Sequence, residues 1–190
     1  MKKLKKFLIP LLMIVCIPLF LAGCSSSNGV YKTSDSNAGQ VWYVINSNKK
    51  VKAILFIKKD NLSYAAGLSE PLASFNGLTF TTASSKIKKI VSSDAEKVGN
   101  SLLNGDTNVT QADCTDDIPF KYSVNKSDKS ETIYSPTYFK YKLTNPNTTV
   151  TVNGTKYVGY DCYDEEAGLN YKLVTNTNQK LGFDKNQANN

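Results

Sequence analysis

The sequence predicts an α+β fold: an antiparallel sheet of about six or seven strands with one helix, or a broken helix pair, packed on a face. Three observations predict it. Short runs of β-branched and aromatic residues recur between clusters of Asn, Ser and Gly. One cluster is Asn153-Gly154, the strongest short hairpin signal, because both turn positions need φ > 0. A single stretch, beginning at Ile87, places apolar residues at three- and four-residue steps.

The elements follow in order. Val41 to Ile45 and Val51 to Ile57 flank Asn46-Ser47-Asn48-Lys49-Lys50 and read as a hairpin. Ile87, Ile90, Val91, Ala95, Val98, Leu102 and Leu103 give the helical stretch, with Gly105 as its stop. Ser93-Asp94-Ala95-Glu96 matches a capping box, which would break the helix near Ser92. Ile118, Phe120, Tyr122 and Val124 alternate with polar or turn residues. Phe139, Tyr141 and Leu143 alternate with Tyr138, Lys140 and Lys142, which gives one buried and one solvated face. Val150 and Val152 lead into Asn153-Gly154 and then Tyr157 to Tyr160; Leu169, Tyr171 and Leu173 make the last strand. The stripe Ile87, Ile90, Val91, Val98 and Leu102 is expected to pack on the sheet face that presents Phe139 and Tyr141.

The 190 residues have room for one domain, and the 41% that are apolar suffice for a core. There are 23 Lys, no Arg and no His, against 11 Asp and 5 Glu. Without His the chain lacks the usual general base, the usual metal ligand and every Ser-His or Cys-His dyad. Without Arg it lacks bidentate clamps for carboxylate or phosphate.

The first residues carry an address. Four lysines stand within Met1 to Lys6, and an apolar run from Phe7 to Ala22 follows, interrupted by Pro10 and Pro18. A basic start before such a run is the pattern of an export signal. As a helix the run would rise roughly 24 Å, short of a bilayer core of about 30 Å. It ends in Leu21-Ala22-Gly23-Cys24, followed by three serines. Residues 1–23 are therefore expected to be a signal peptide, 24–39 a Ser/Asn/Gly tether, 40–184 one extracytoplasmic domain and 185–190 a disordered tail. Cleavage would remove four lysines and no acid, leaving a net charge of +3 in place of +7. That excess is too small to support a nucleic-acid partner.

The Leu21-Ala22-Gly23-Cys24 segment resembles the lipobox of bacterial lipoproteins, in which the cysteine is alkylated by a diacylglyceryl group and becomes the first residue of the mature chain. The tether, the Val41-Trp42-Tyr43 strand, the Ala53-Ile54-Leu55-Phe56 strand and the Ile/Lys-rich helix resemble small, uncharacterised lipoproteins of lactobacilli and their relatives. The resemblance implies lipidation at Cys24 and attachment at the outer face of the cell membrane, where two acyl chains hold stably. It implies no functional residue beyond Cys24.

Four further constellations carry possible chemistry. Cys114 and Cys162, both outside the membrane on this reading, suggest a disulfide that would close a loop of about 49 residues; the alternative is two separate buried thiols. Asp113, Asp116 and Asp117 surround Cys114, and Asp161, Asp164, Glu165 and Glu166 surround Cys162. A bridge would merge them into an oxygen-rich cluster suited to Ca²⁺, although solvated acidic loops are the plainer reading, and no metal or other cofactor is assigned. Ser-x-x-Lys occurs at Ser47/Lys50, Ser85/Lys88 and Ser123/Lys126, about as often as chance gives, so no catalytic residue is assigned. Residues 46–90 hold eight Lys and two acids, against ten Lys and thirteen acids in 91–190. Lys50, Lys52 and Lys58 would share one side of a regular strand, a surface for anionic lipid or a wall polymer. The expectation is a non-enzymatic, membrane-anchored binding or interaction module of the envelope. The alternative is a small His-independent hydrolase or transferase.

Overall fold

The computed structural model describes residues 40–58, 62–104, 111–125, 127–128 and 130–176. The expected signal peptide, Cys24, the tether and the tail from 185 lie outside the described residues, as do Gly105, Lys126 and the side chain of Leu102.

The α+β class holds, with more strands than the sequence predicts. The strands are β1 (Gln40–Ile45), β2 (Lys50–Ile57), β3 (Leu62–Ala66), β4 (Glu70–Pro71), β5 (Asp113–Ile118), β6 (Lys121–Val124), β7 (Glu131–Ser135), β8 (Phe139–Val152), β9 (Thr155–Asp164) and β10 (Leu169–Asn176). A short 3-10 turn (Leu72–Phe75) follows β4 and leads into the helix α1 (Phe80–Leu103). Every pairing is antiparallel. The strands run β5-β3-β2-β1-β10-β9-β8-β7-β6 across one sheet, with β4 added beside β2.

That order forces curvature. The two edge strands, β5 and β6, are consecutive in the chain and are joined only by Pro119 and Phe120. Three Cα steps span at most about 11 Å. The sheet therefore cannot lie open; it curls into a half-barrel until its edges approach. Pro119, which has no N–H to donate, suits this corner.

Curling makes two cores. The inner one takes residues from nine strands, among them Trp42, Leu55, Leu62, Ile118, Tyr122, Ile133, Tyr141, Tyr160 and Leu173. The outer one joins Val41, Tyr43, Ile54, Phe56, Tyr157 and Val174 to Leu72, Phe75, Ala83 and Ile87. β1 is covered on both faces, which is why its sequence is a continuous apolar run with no polar alternation.

The helix corrects two expectations. It is continuous from Phe80, and Ser93-Asp94-Ala95-Glu96 lies inside it. Its N-terminus is closed instead by Thr79 and Thr82, each hydroxyl accepting the other's backbone N–H at 3.3 and 2.8 Å. Ser92 donates its hydroxyl to the Lys88 carbonyl one turn back at 2.9 Å, so it stays helical without breaking the chain. Ala83 and Ile87 are buried in the outer core, with Phe80, Ile90 and Val91 partly buried beside them. Phe139 and Tyr141 belong to the inner core. The helix thus packs on the opposite face from the one expected. Alternation in β8 marks a buried face, but a curled sheet has two. Beyond Val91 the helix leaves the core: Val98 is half-buried and Leu103 is 86% exposed.

Local turn chemistry sets the hairpins. Asn46 accepts the N–H groups of Asn48 and Lys50 in the β1–β2 turn, and Lys49 takes φ 57°. Asn153 and Gly154 take φ 48° and 77° in the two-residue β8–β9 turn, as their sequence predicts. Asp164 Oδ1 accepts the N–H groups of Glu166 and Ala167, both at 3.0 Å, in the β9–β10 turn.

The distal half of the β8–β9 hairpin bends over the outer face. β8 is irregular between Thr144 and Thr148, where Asn145 and Asn147 both have positive φ. Opposite, Gly159 lies against β10 so closely that a Cβ there would sit 2.8 Å from Val174 Cα and still nearer the Leu173 carbonyl oxygen. Past this bend Val150, Val152 and Tyr157 join the outer core. Lys49 Nζ reaches the Thr151 carbonyl at 3.1 Å, Asn76 Nδ2 the Val152 carbonyl at 3.2 Å, and the Tyr157 hydroxyl donates to Asn76 Oδ1 at 2.7 Å.

Candidate functional site

One end of the half-barrel opens into a cleft of about 640 Å³. Val44 at the end of β1, Ala53 near the start of β2, Tyr64 and Ala66 on β3, Tyr141 on β8 and Tyr171 on β10 line it. The two alanines leave room where larger inward residues fill the rest of the curl. Ile90 and Asp94 of α1 form the outer lip. The strand directions explain the convergence, since antiparallel neighbours bring the C-terminal ends of β1, β3 and β9 beside the N-terminal ends of β2, β8 and β10.

The site is aromatic. The Tyr64 and Tyr141 hydroxyls are hydrogen-bonded at 2.9 Å. Tyr64 lies with its ring centroid 5.0 Å from Phe139 and 6.5 Å from Tyr138, and Phe139 stacks on Tyr141 at 5.0 Å. Tyr141 is buried, whereas Tyr64 and Tyr171 are partly buried against the inner core and line the cleft. Burial pushes the Tyr64 hydroxyl up to about 12, its hydrogen bond to Tyr141 opposes the shift, and the Asp164 and Glu166 carboxylates add to it. Tyr141 and Tyr171 are also raised, by burial first, and Asp164 adds to both. At neutral pH all three are protonated, hydrogen-bonding rings.

Charges ring the opening. Lys52, Glu70, Asp94 and Asp164 line it. Asp94 already pairs with Lys97 at 3.3 Å. Lys52 and Glu70 lie on the paired strands β2 and β4, where Val51 faces Glu70. Asp164 forms no ion pair among the described residues.

The sequence-predicted residues fall elsewhere, or fall here in other roles. Cys114 and Cys162 are free thiols. Cys114, opposite Ala65 on edge strand β5, packs against the outer core, and Cys162, opposite Tyr171 on β9, sits in the inner core. The expected bridge is not formed, because the two sulfurs lie on opposite faces of the sheet. Burial raises both thiols, with acids adding to the rise: Asp116 at Cys114 and Asp164 at Cys162. The acidic clusters consequently stay apart, and among the described residues no three His, Cys, Asp or Glu gather as a metal site. Asp161 is a staple for the β8 irregularity: it accepts from Asn145 at 2.6 Å, Thr148 at 3.2 Å and Lys172 at 2.8 Å, which holds its carboxyl below the usual range.

The expected lysine row is also broken. Ile45 faces Val51 while Val44 faces Ala53, so β2 carries an extra residue at Lys52 and loses its two-residue period there. Lys52 enters the cleft, Lys50 remains exposed, and Lys58 lies 3.7 Å from Asp117. The three lysines build no common face. Among the described Ser-x-x-Lys pairs, neither Ser47 nor Ser85 is hydrogen-bonded to its lysine.

Sequence reasoning placed Tyr141 on a buried face and Tyr171 in the last strand, and gave Tyr64 no element. Its signal was the short run Leu62-Ser63-Tyr64-Ala65-Ala66 before Gly67, which alternates only weakly. No helix among the described residues is long and apolar enough to cross a membrane. No protein family, characterised protein or solved structure matches the chain.

Proposed function

We propose that this chain is a lipid-anchored protein of the cell envelope, held at the outer face of the membrane through a diacylglyceryl group on Cys24, and that its domain is a binding module. The resemblance of Leu21-Ala22-Gly23-Cys24 to a lipobox supports the anchor. The single observation that carries the binding reading is the tyrosine-lined cleft of about 640 Å³, a size that accepts a small molecule or the end of a polymer. Its chemistry favours holding a ligand over transforming one: protonated tyrosine hydroxyls, ring faces and a carboxylate, with both thiols raised and turned into other environments. The tether joins β1 at Gln40, roughly 13 Å along the strand from Val44 at the cleft.

Two experiments test this. Cys24→Ala should block diacylglyceryl transfer and leave an uncleaved, unlipidated precursor by mass spectrometry; normal maturation would remove the anchor from the reading. For the cleft, the lipidated full chain is incubated with wall-fragment and small-molecule extracts of its host, and retained compounds are identified. Ala66→Trp, which fills the opening, should abolish retention. Undiminished retention by that variant would place binding elsewhere.

A further inference from the structure

We infer that the ligand of the tyrosine-lined cleft carries an organic ammonium group, seated against Tyr64 and Tyr171 with Asp164 as its counter-charge. The inference rests on the binding reading above and names its ligand class. Ring faces carry negative electrostatic potential, so aromatic walls beside a carboxylate attract a cation that an apolar pocket would reject. Tyr64, Tyr138, Phe139 and Tyr141 form one contiguous group with centroid separations of 5.0 to 6.5 Å, and Tyr171 lines the same cleft. Tyr141 is tied to Tyr64 through its hydroxyl, which fixes the Tyr64 ring in place before a ligand arrives. Such pre-organisation lowers the ordering cost of binding.

The charge balance selects the cation. Lys52 and Glu70, on neighbouring paired strands, bring one charge of each sign to the opening, and Lys97 matches Asp94. Asp164 remains, with Glu166 two residues on; Glu165, between them, is taken by Lys140 at 2.7 Å. Asp164 Oδ1 accepts two turn N–H groups, which position the carboxylate without neutralising it. An anionic ligand would meet that charge across the tyrosines; an ammonium is attracted by both.

The test uses the lipidated full chain in a maltoside micelle, titrated with choline and with its neutral isostere 3,3-dimethylbutan-1-ol, binding being read by calorimetry and by tyrosine resonances. Choline should bind at least tenfold more tightly than the alcohol. Asp164→Asn keeps an oxygen for the two turn N–H groups, so it should fold normally, weaken choline at least tenfold and leave the alcohol unchanged. Tyr171→Leu should weaken choline as well. Equal binding of choline and the alcohol, both lost in Ala66→Trp, would overturn the ammonium inference and leave the cleft as a binding site. Choline binding that survives Asp164→Asn and Tyr171→Leu would overturn it too. No binding of choline at all, while Ala66→Trp still abolishes retention of envelope compounds, would likewise refute the cation class alone.

Discussion

Replacing Gly159 by Ala should destabilise the domain, although alanine is the better residue in most strands. A Cβ at position 159 would sit 2.8 Å from Val174 Cα and 2.9 Å from the Leu173 carbonyl carbon, and nearer still to that carbonyl oxygen. Carbon atoms in contact prefer about 3.5 to 4.0 Å, so the added methyl lies roughly 1 Å too deep. The obstructing atoms are backbone, and no rotamer change relieves them. β9 must separate from β10 around the Gly159–Val174 pair, where the ladder is otherwise continuous from Leu169–Asp164 to Asn176–Tyr157. Losing or stretching two ladder hydrogen bonds costs about 1 kcal/mol each, and overpacking a tight site adds about 1 to 3 kcal/mol. Reduced freedom of the unfolded chain returns about 0.4 to 1 kcal/mol. The net loss is about 2 to 4 kcal/mol, or roughly 5 to 15 °C in Tm for a domain of this size. Gly99, inside α1, supplies the opposite sign. A methyl added there would meet no atom within 4 Å, so Gly99→Ala should gain about 0.5 to 1 kcal/mol. Urea unfolding followed by far-ultraviolet circular dichroism compares the two. If Gly159→Ala were neutral or stabilising, the bend that carries the β8–β9 hairpin over the outer face would not depend on this close approach.

Tyr64→Phe removes one partner of the Tyr64–Tyr141 hydrogen bond and leaves the buried Tyr141 hydroxyl alone, a loss of about 1 to 3 kcal/mol, whereas the double change to Phe should lose less; equal losses would deny the pair any role. Raising the pH above the ordinary tyrosine range should unfold the domain: Tyr64 and Tyr157, both pushed to about 12 mainly by burial, hold their protons in the folded state, so their contribution is intact below about pH 10 and lost as pH rises toward 12. Thermal melts from neutral to strongly alkaline pH, with tyrosinate absorbance recorded in parallel, check this, and a flat Tm would contradict it. Under non-reducing conditions, alkylation of the unfolded mature protein should modify Cys114 and Cys162 as two free thiols, and the folded protein should protect Cys162 more strongly than Cys114; a disulfide-linked peptide pair would refute the opposite-face placement.

Local physics was legible in the sequence. Asn46 and Asn153-Gly154 specify turns through their own side-chain and backbone chemistry, and the alternation in 139–143 reports one buried face. Strands lacking that internal signal were invisible. Leu62–Ala66 and Glu131–Ser135 are short, and Asp113–Ile118 is acidic; each is extended because a neighbouring strand supplies hydrogen bonds, and for Asp113–Ile118 that neighbour, Leu62–Ala66, is distant in sequence. The helix was legible by its period, but not its start, because the Thr79–Thr82 cap lacks the acidic residue that usually marks one.

What only the tertiary structure decided follows from the curl. A two-residue link between the edge strands bends the sheet into two buried faces, and a periodic pattern cannot say which face a given stripe meets. That is why α1 covers Val41 and Tyr43 and not Phe139 and Tyr141, and why Cys114 and Cys162 point into different cores. One extra residue at Lys52 redirected a lysine row that a regular strand would have kept together. The cleft itself draws Val44, Ala53, Tyr64, Tyr141, Asp164 and Tyr171 from six strands, and no spacing along the chain connects them. The amino-acid sequence by itself determined the turns, the strand faces, the helix period and the resemblance of its N-terminal segment to an export and lipidation signal, because each is written in neighbouring residues. The cleft exists only where antiparallel pairing brings distant strand ends to the same mouth.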